Sequence, residues 1–452
     1  MTGQSNPTGP ATRSRRAVLT GLGLASGAWA LGPNAPAQPT PCPVPLPPKG
    51  VHSATAFGAV GDGKTDDTAA IQKALNAAGL TGGVVTLPAG NYFVRGHLIV
   101  HANVTIEGVF RSPPARSQGF GSTILAVGGK GNANGEPLFF LKPNAAIKGL
   151  TVFYPEQDAK NPAEYPWCVR GQGDNVAVLD VLLVNPWNAV DFGTHACGRH
   201  FISGLHGQPL HTGLFVDQCL DCGRLENVHF WPFWTTEPLA VTREKGTAFR
   251  FARTDWQMVT NVFCLGYRTG FHFTAVRHDA GNAMVTNSGS DLCDVGVRVE
   301  YSQVHAGLLF TNCQINAGVL IENGSLGPVK FSNCGLFGTG TPDSPHLADA
   351  GAKATHVLNR GQGRATFVGC HFYHPEAPFV PKGYTDAGHP VVYSDGNGLT
   401  ITGCDMTGFD RNHVRLGPKS KSTIVTSSRF LGGLKLEKTG KGIVVAENNI
   451  GE

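Results

Sequence analysis

The sequence predicts an all-β fold, a parallel β-solenoid closed at its N-terminal end by one helix. Three observations predict it. A phrase of strand, polar turn, small residue and second strand returns every twenty-odd residues from about Asn175 onward. The 452 residues include 60 Gly and 30 Pro, and only 15% are charged, so turns are frequent and apolar runs are strand-sized. No stretch beyond residue 80 sustains a helical period.

The repeat is clearest in its second strand: Ala189–Phe192, Gly213–Asp217, Ala248–Phe251, Gly270–Phe273, Gly296–Glu300 and Gly318–Glu322. Equivalent apolar residues are Val190, Leu214, Phe249, Phe271, Val297 and Val319, separated by 24, 35, 22, 26 and 22 residues. Repeats of this length without helices between them stack into a solenoid around a shared core. Such a fold grows by adding rungs, so one domain accommodates residues 51–452. Its outward side chains form ladders along a long face, a shape suited to an extended polymer.

The first element is a targeting signal. Arg15-Arg16 precedes an apolar run from Leu19 to Leu31 and small residues ending Ala35-Pro36-Ala37. The run is short for a bilayer span. It resembles a bacterial twin-arginine signal occupying residues 1–37, with Ala28-Trp29-Ala30 as a second candidate cleavage site. The location it implies is periplasmic or secreted. A Pro-rich tether follows over residues 38–50.

The helix comes next. Thr65 or Asp66 is the expected N-cap, Ile71 and Leu75 form the apolar stripe, and Gly79 is the stop. Gly82 to Tyr92 continues as strand and turn. A helix laid across the first rung covers a sheet end that would otherwise invite aggregation.

Phe57-Gly-Ala-Val-Gly-Asp-Gly-Lys-Thr-Asp-Asp-Thr68, followed by Ala-Ile-Gln-Lys-Ala, resembles the opening motif of the pectate-lyase superfamily. That superfamily contains glycoside hydrolase family 28-related proteins, other polysaccharide hydrolases and lyases, and phage tailspikes. The resemblance implies a single-stranded right-handed parallel β-helix over about residues 50–450. Asp62, Asp66 and Asp67 of the motif are read as turn and cap residues, outside catalysis.

The long step of 35 places an insertion at about Pro232–Gly246, beside the rungs of Asp217 and Arg250. Insertions along one edge of a solenoid commonly build a binding wall. Trp231 and Trp234 stand at its start and are candidate sugar-stacking residues; the alternative is that they pack the insertion onto the helix.

Cysteine usage argues for core packing. Cys313, Cys334, Cys370 and Cys404 share a column that Val228 and Val262 hold in earlier rungs. Such cysteines act as small hydrophobes. Cys219 and Cys222 form a lone C-x-x-C, too few ligands for zinc. His195, His200 and His229 lack a metal-ligand spacing. No metal or other cofactor is assigned; Ca²⁺ enters only with a lyase.

Alternation decides which side chains face outward. One outward row reads Asp191, Phe215, Arg250, His272, Arg298 and Leu320. Another, two residues on, reads Gly193, Asp217, Ala252, Thr274, Glu300 and Glu322. Asp191 and Asp217 are offset by one rung and two residues, roughly 8 Å, a separation suited to an inverting acid/base pair. Glu300 is the reserve catalytic carboxylate, and stacking on Glu322 at about 5 Å would raise the pKa of one of them. Arg250, His272, Arg298 and Glu322 are candidate substrate contacts.

The expected function is a secreted glycoside hydrolase acting on a polysaccharide or oligosaccharide through two carboxylates. The alternatives are a polysaccharide lyase, in which Arg250, His272 and Arg298 would serve proton abstraction beside a uronate carboxylate, and a non-catalytic glycan-binding protein. A net charge of +4 offers no footprint for nucleic acid, and membrane insertion is not expected. Monomer and homo-oligomer, such as a trimer, both remain open.

Overall fold

The computed structural model describes residues 50–110, 121–338, 355–373 and 388–451. The signal (1–37) and all of the tether (38–50) except Gly50 lie outside them. From Val51 to Gly451 the regular elements are almost all strands, arranged in a 26-stranded and a 13-stranded parallel sheet. After the first coil, where the helix stands in place of a strand of the smaller sheet, successive coils contribute to both sheets, and the fold is a right-handed parallel β-helix.

Six strands of the smaller sheet matter below: β1 (Asn188–Phe192), β2 (Thr212–Val216), β3 (Thr247–Phe251), β4 (Thr269–Phe273), β5 (Val295–Val299) and β6 (Gly318–Ile321). Val190, Leu214, Phe249, Phe271, Val297 and Val319 stand opposite one another in that order, matching the sequence repeat. All six are buried in one core cluster that runs from Ala54 to Phe430. Stacking extends through the core: the rings of Phe310 and Phe331 are 4.6 Å apart, and those of Phe331 and Phe367 are 5.2 Å apart, both nearly parallel. These separations are close to the rung spacing, as in-register stacking requires.

The larger sheet bends once per rung. Asn227, Asn261, Asn287, Asn312 and Asn333 sit at the bend with φ between 49° and 55°, and Gly369 and Gly403 take the place at φ of 60° and 62°. Left-handed backbone is costly for most L-residues and tolerated by Gly and Asn, which explains the column. The next residue turns inward. Val228, Val262, Ser288, Cys313, Cys334, Cys370 and Cys404 are consequently all buried. The ten described cysteines are free thiols, and Cys219 and Cys222 are among them.

Helix α1 (Thr68–Gly79) buries Ile71, Ala74, Leu75 and Ala78. Its N-cap is Asp67, one or two residues later than expected. The reason lies in the preceding turn. Asp62 accepts hydrogen bonds from the Lys64 and Thr65 amides, and Asp66 accepts one from Thr68, so both carboxylates hold the approach to the helix. Fully buried Asp67 reaches back to the Val60 and Gly61 amides at 2.7 and 3.1 Å. The insertion carries a short second helix, α2 (Leu239–Lys245). No helix among the described residues is long and apolar enough to cross a membrane.

Candidate active site

The outer face of the smaller sheet carries the predicted row. Asp191, Phe215, Arg250, His272, Arg298 and Leu320 pair in that order across β1 to β6. Arg170 precedes Asp191 in the same row. Neighbouring side chains are therefore one rung apart and meet laterally.

Asp191 and Asp217 lie on the predicted side of the sheet, but neither is accessible. Both are fully buried. Asp191 pairs with Arg170 at 2.7 Å and accepts hydrogen bonds from the Gly193 and Thr194 amides. Asp217 pairs with Arg277 at 3.2 Å and accepts from the Gln218 and Arg253 amides. Arg277 also donates to the carbonyl oxygens of Gly193 and Thr194. This arginine pins together the turns that leave β1 and β2. The expectation of two exposed carboxylates is corrected accordingly: alternation specifies a side of the sheet, whereas a loop from a later rung decides exposure. In these positions the two buried aspartates satisfy turn amides and pair with arginines that are themselves partly exposed.

Glu300, His272, Arg298 and Glu322 do come together, and they remain partly open. His272 Nε2 lies 3.1 Å from Glu300 Oε2, in ion-pair range. Thr274 donates to the same oxygen at 2.6 Å. Arg298 reaches Glu300 Oε1 at 2.9 Å and Glu322 Oε1 at 2.6 Å. The glutamates are thus bridged by a cation, and the predicted upward pKa shift is reversed for Glu300. Burial pushes its carboxyl up, but His272 and Thr274 as hydrogen-bond partners and the charges of His272 and Arg298 outweigh it, leaving a pKa of about 2. Glu300 is ionised at any ordinary pH.

Arg250 stands one rung from His272. Its guanidinium lies 5.1 Å from the Phe215 ring centroid, and its Nε is buried without a hydrogen-bond partner among the described residues. Burial lowers its pKa, against the opposing pull of Glu300 and Asp217. It makes no ion pair among the described residues, which leaves a cation for an anionic ligand.

The remaining candidates fall elsewhere. Trp231 and Trp234 pack with Phe233 against Leu182 and Val184 of the larger sheet, so their contacts favour the loop-packing reading over sugar stacking at the Arg250 row. His200 is fully buried beside Phe192 and hydrogen-bonded to the Cys197 carbonyl, and burial lowers its pKa to about 4. His229 contacts Phe233 and Phe263 instead. No group of three His, Cys, Asp or Glu placed to hold a metal occurs among the described residues. The outward carboxylates that a Ca²⁺ ion would need, Glu300 and Glu322, are already bridged by Arg298, so this donor set does not fit the ion. Arg170 and Arg277 were not singled out from the sequence. Arg170 could have been found by extending the row one rung; Arg277 sits in a connection where no periodicity operates.

Residues 51–153 form a pectate-lyase-like segment, matching the family described as rhamnogalacturonase A/epimerase, pectate lyase-like. Two curated relatives come from Azotobacter vinelandii. Alginate lyase 7 is 46% identical over 79 residues, which are 16% of this chain and 8% of that protein. Mannuronan C5-epimerase AlgE3 is 44% identical over 79 residues, 16% of this chain and 4% of that protein. The match therefore spans under a tenth of either relative's length. Among solved structures, the A-module of mannuronan C-5 epimerase AlgE6 from the same organism has a TM-score of 0.44 at 16% identity, covering 89% of this chain and 99% of that one. DFA-IIIase from Arthrobacter chlorophenolicus A6, without its lid, has a TM-score of 0.42 at 11% identity, covering 88% and 100%.

Proposed function

We propose that this chain is a carbohydrate-active enzyme that abstracts a proton beside the carboxylate of a uronate-containing polysaccharide, as a lyase does. The reading rests on the Arg250–His272–Arg298 row with ionised Glu300 against His272. Arg250 and Arg298 would bind the substrate carboxylate and offset the charge that gathers on it as the proton leaves. His272 would take the proton from C5, positioned by Glu300. The C5 electron pair would then form the C4=C5 double bond as the C4–O4 bond breaks, with the proton held by His272 passing to O4. Delivery of a proton from water to the opposite face of C5 instead, with the C4–O4 bond kept, would give epimerisation from the same first step. The names of the partial relatives, alginate lyase and mannuronan epimerase, point to the same substrate chemistry.

This reading displaces hydrolysis because of Glu300. A glycosidase needs a carboxylic acid to protonate the leaving oxygen. A carboxyl with a pKa of about 2 is a poor proton donor near neutral pH, and the buried Asp191 and Asp217 are engaged by arginines.

The test is incubation of the full chain with poly-mannuronate, alginate and polygalacturonate. Lysis produces ultraviolet absorbance from an unsaturated uronate; epimerisation in D₂O incorporates deuterium without chain cleavage. His272→Ala is expected to lower either rate by about 10²–10⁴-fold. New reducing ends without ultraviolet absorbance would restore hydrolysis. Export through the twin-arginine route is part of the same proposal. Changing Arg15 and Arg16 together to Lys should trap precursor in the cytoplasm, and undiminished export of that variant would refute it.

A further inference from the structure

The larger sheet carries a second outward surface that the Arg250 row does not use. Beyond the bend, one outward row reads His206, His229, Phe263, Gly289, Gln314, Gly335 and His371. At Gly289 this row loses its side chain, and the backbone becomes the floor of a groove of about 720 Å³. The bend residues Asn261, Asn287 and Asn312 form one wall; Asp291 and Asn316 form the other. Phe263 stands before the notch, and Phe337 stands beyond it with its ring stacked on Tyr373 at 4.3 Å.

The lining is rich in amides and poor in charge. Gln314 offers both donors and an acceptor, while Asn312 donates to Asn287 at 3.5 Å and Asn316 donates to Asp291 at 2.6 Å, so the wall amides are held in place. The bend explains why Asn occupies Asn287 and Asn312, but Gln314 and Asn316 lie in an ordinary strand where the backbone asks for no amide. The one acidic side chain of the described lining is Asp291, which accepts hydrogen bonds from the Leu292 amide and from Asn316. No Lys or Arg lines the groove among the described residues. A polyuronate would meet a carboxylate with nothing to balance its own charge, the reverse of the Arg250 row. A neutral glycan would meet hydroxyl-matching amides at successive rungs and two aromatic side chains for its C–H faces.

We infer that this groove binds a neutral oligosaccharide segment, as a site separate from the one on the smaller sheet. It would hold a polymer on one face of the helix while the other face works on uronate.

The experiment uses the full chain and hexasaccharides of β-glucan, mannan, xylan and maltose type, with hexa-mannuronate as the charged comparison, in titration calorimetry. At least one neutral hexasaccharide is expected to bind. Gln314→Ala and Phe337→Ala should each weaken that binding about tenfold. Gln314 is exposed, so its variant should keep the wild-type melting temperature. Arg250→Ala should leave neutral binding unchanged, and Gln314→Ala should leave turnover of a uronate polymer unchanged. These arms separate the groove from the Arg250 row, so either reading can fail alone. The inference is overturned if no neutral hexasaccharide binds, if both groove variants bind as wild type does, or if Arg250→Ala abolishes the binding.

Discussion

Glu300 shows how one carboxylate is tuned by what reaches it. His272 and Thr274 share one of its oxygens and Arg298 takes the other, and together they drive its pKa from 4.5 to about 2 against the effect of burial. A carboxyl depressed in the folded state stabilises the fold above its unfolded pKa and ceases to do so as pH falls through the folded value. Its contribution, about 3 kcal/mol, should therefore be present above about pH 4.5 and disappear towards pH 2. Glu300→Gln should be less stable than wild type at pH 6 and should lose less stability between pH 4.5 and 2. Parallel denaturant-derived stability curves for the two proteins would contradict this. Asp191 and Asp217 make the complementary case. Each holds an arginine and turn amides in the interior. Asp191→Asn leaves the partly buried Arg170 beside a neutral neighbour, a change that costs about 2 kcal/mol. The variant should melt below wild type. An unchanged melting temperature would show that Arg170 finds another partner or water.

At the scale of the element, what the sequence discloses depends on whether a residue obeys the rung period. Within β1 to β6 the alternation holds, so the order Asp191, Phe215, Arg250, His272, Arg298, Leu320 could be read directly. The cysteine column was legible for the same reason, because Cys313, Cys334, Cys370 and Cys404 each follow a bend residue. What alternation cannot carry is a contact made from outside the period. Arg277 reaches Asp217 from 60 positions further along the chain, and that single reach converts an outward carboxylate into a buried one. Nor does a row show how its side chains lean: Glu300 and Glu322 stack as expected, yet Arg298 inserts between them. The bend column offers a test of the local physics. Asn312 has a φ of 54°. Asn312→Gly should be nearly neutral, whereas Asn312→Ala should cost about 1 kcal/mol because a Cβ disfavours left-handed backbone. Equal destabilisation by both would mean that the amide side chain, rather than the backbone angle, fixes the bend.

For the whole molecule, the decisive property is that each rung touches only its neighbours. Stability in such an array is a sum of rung terms and interface terms, so position along the axis matters. At the N-terminal end α1 supplies a neighbour: Ile71 and Leu75 are buried against the first strands. The strand Ile443–Glu447 is different. It pairs with Ser422–Thr426 on one side and has no partner on the other among the described residues, and Ile443 is 73% exposed. The strands β3 and β4, by contrast, are paired on both sides and bury Phe249 and Phe271 completely. Opening the Ile443–Glu447 strand breaks one interface and exposes little new apolar area; opening β3 breaks two and exposes the phenylalanine stack. Amide hydrogen exchange should therefore be graded along the axis: fast over residues 443–447, slow over 247–273, with slow exchange in the first rungs that depends on α1. Leu75→Asp, which puts a charge into the α1 interface, should speed exchange over residues 83–108 while leaving 247–273 protected. Uniform exchange along the axis, or loss of protection at 247–273 in that variant, would show that the helix opens as one cooperative unit rather than rung by rung.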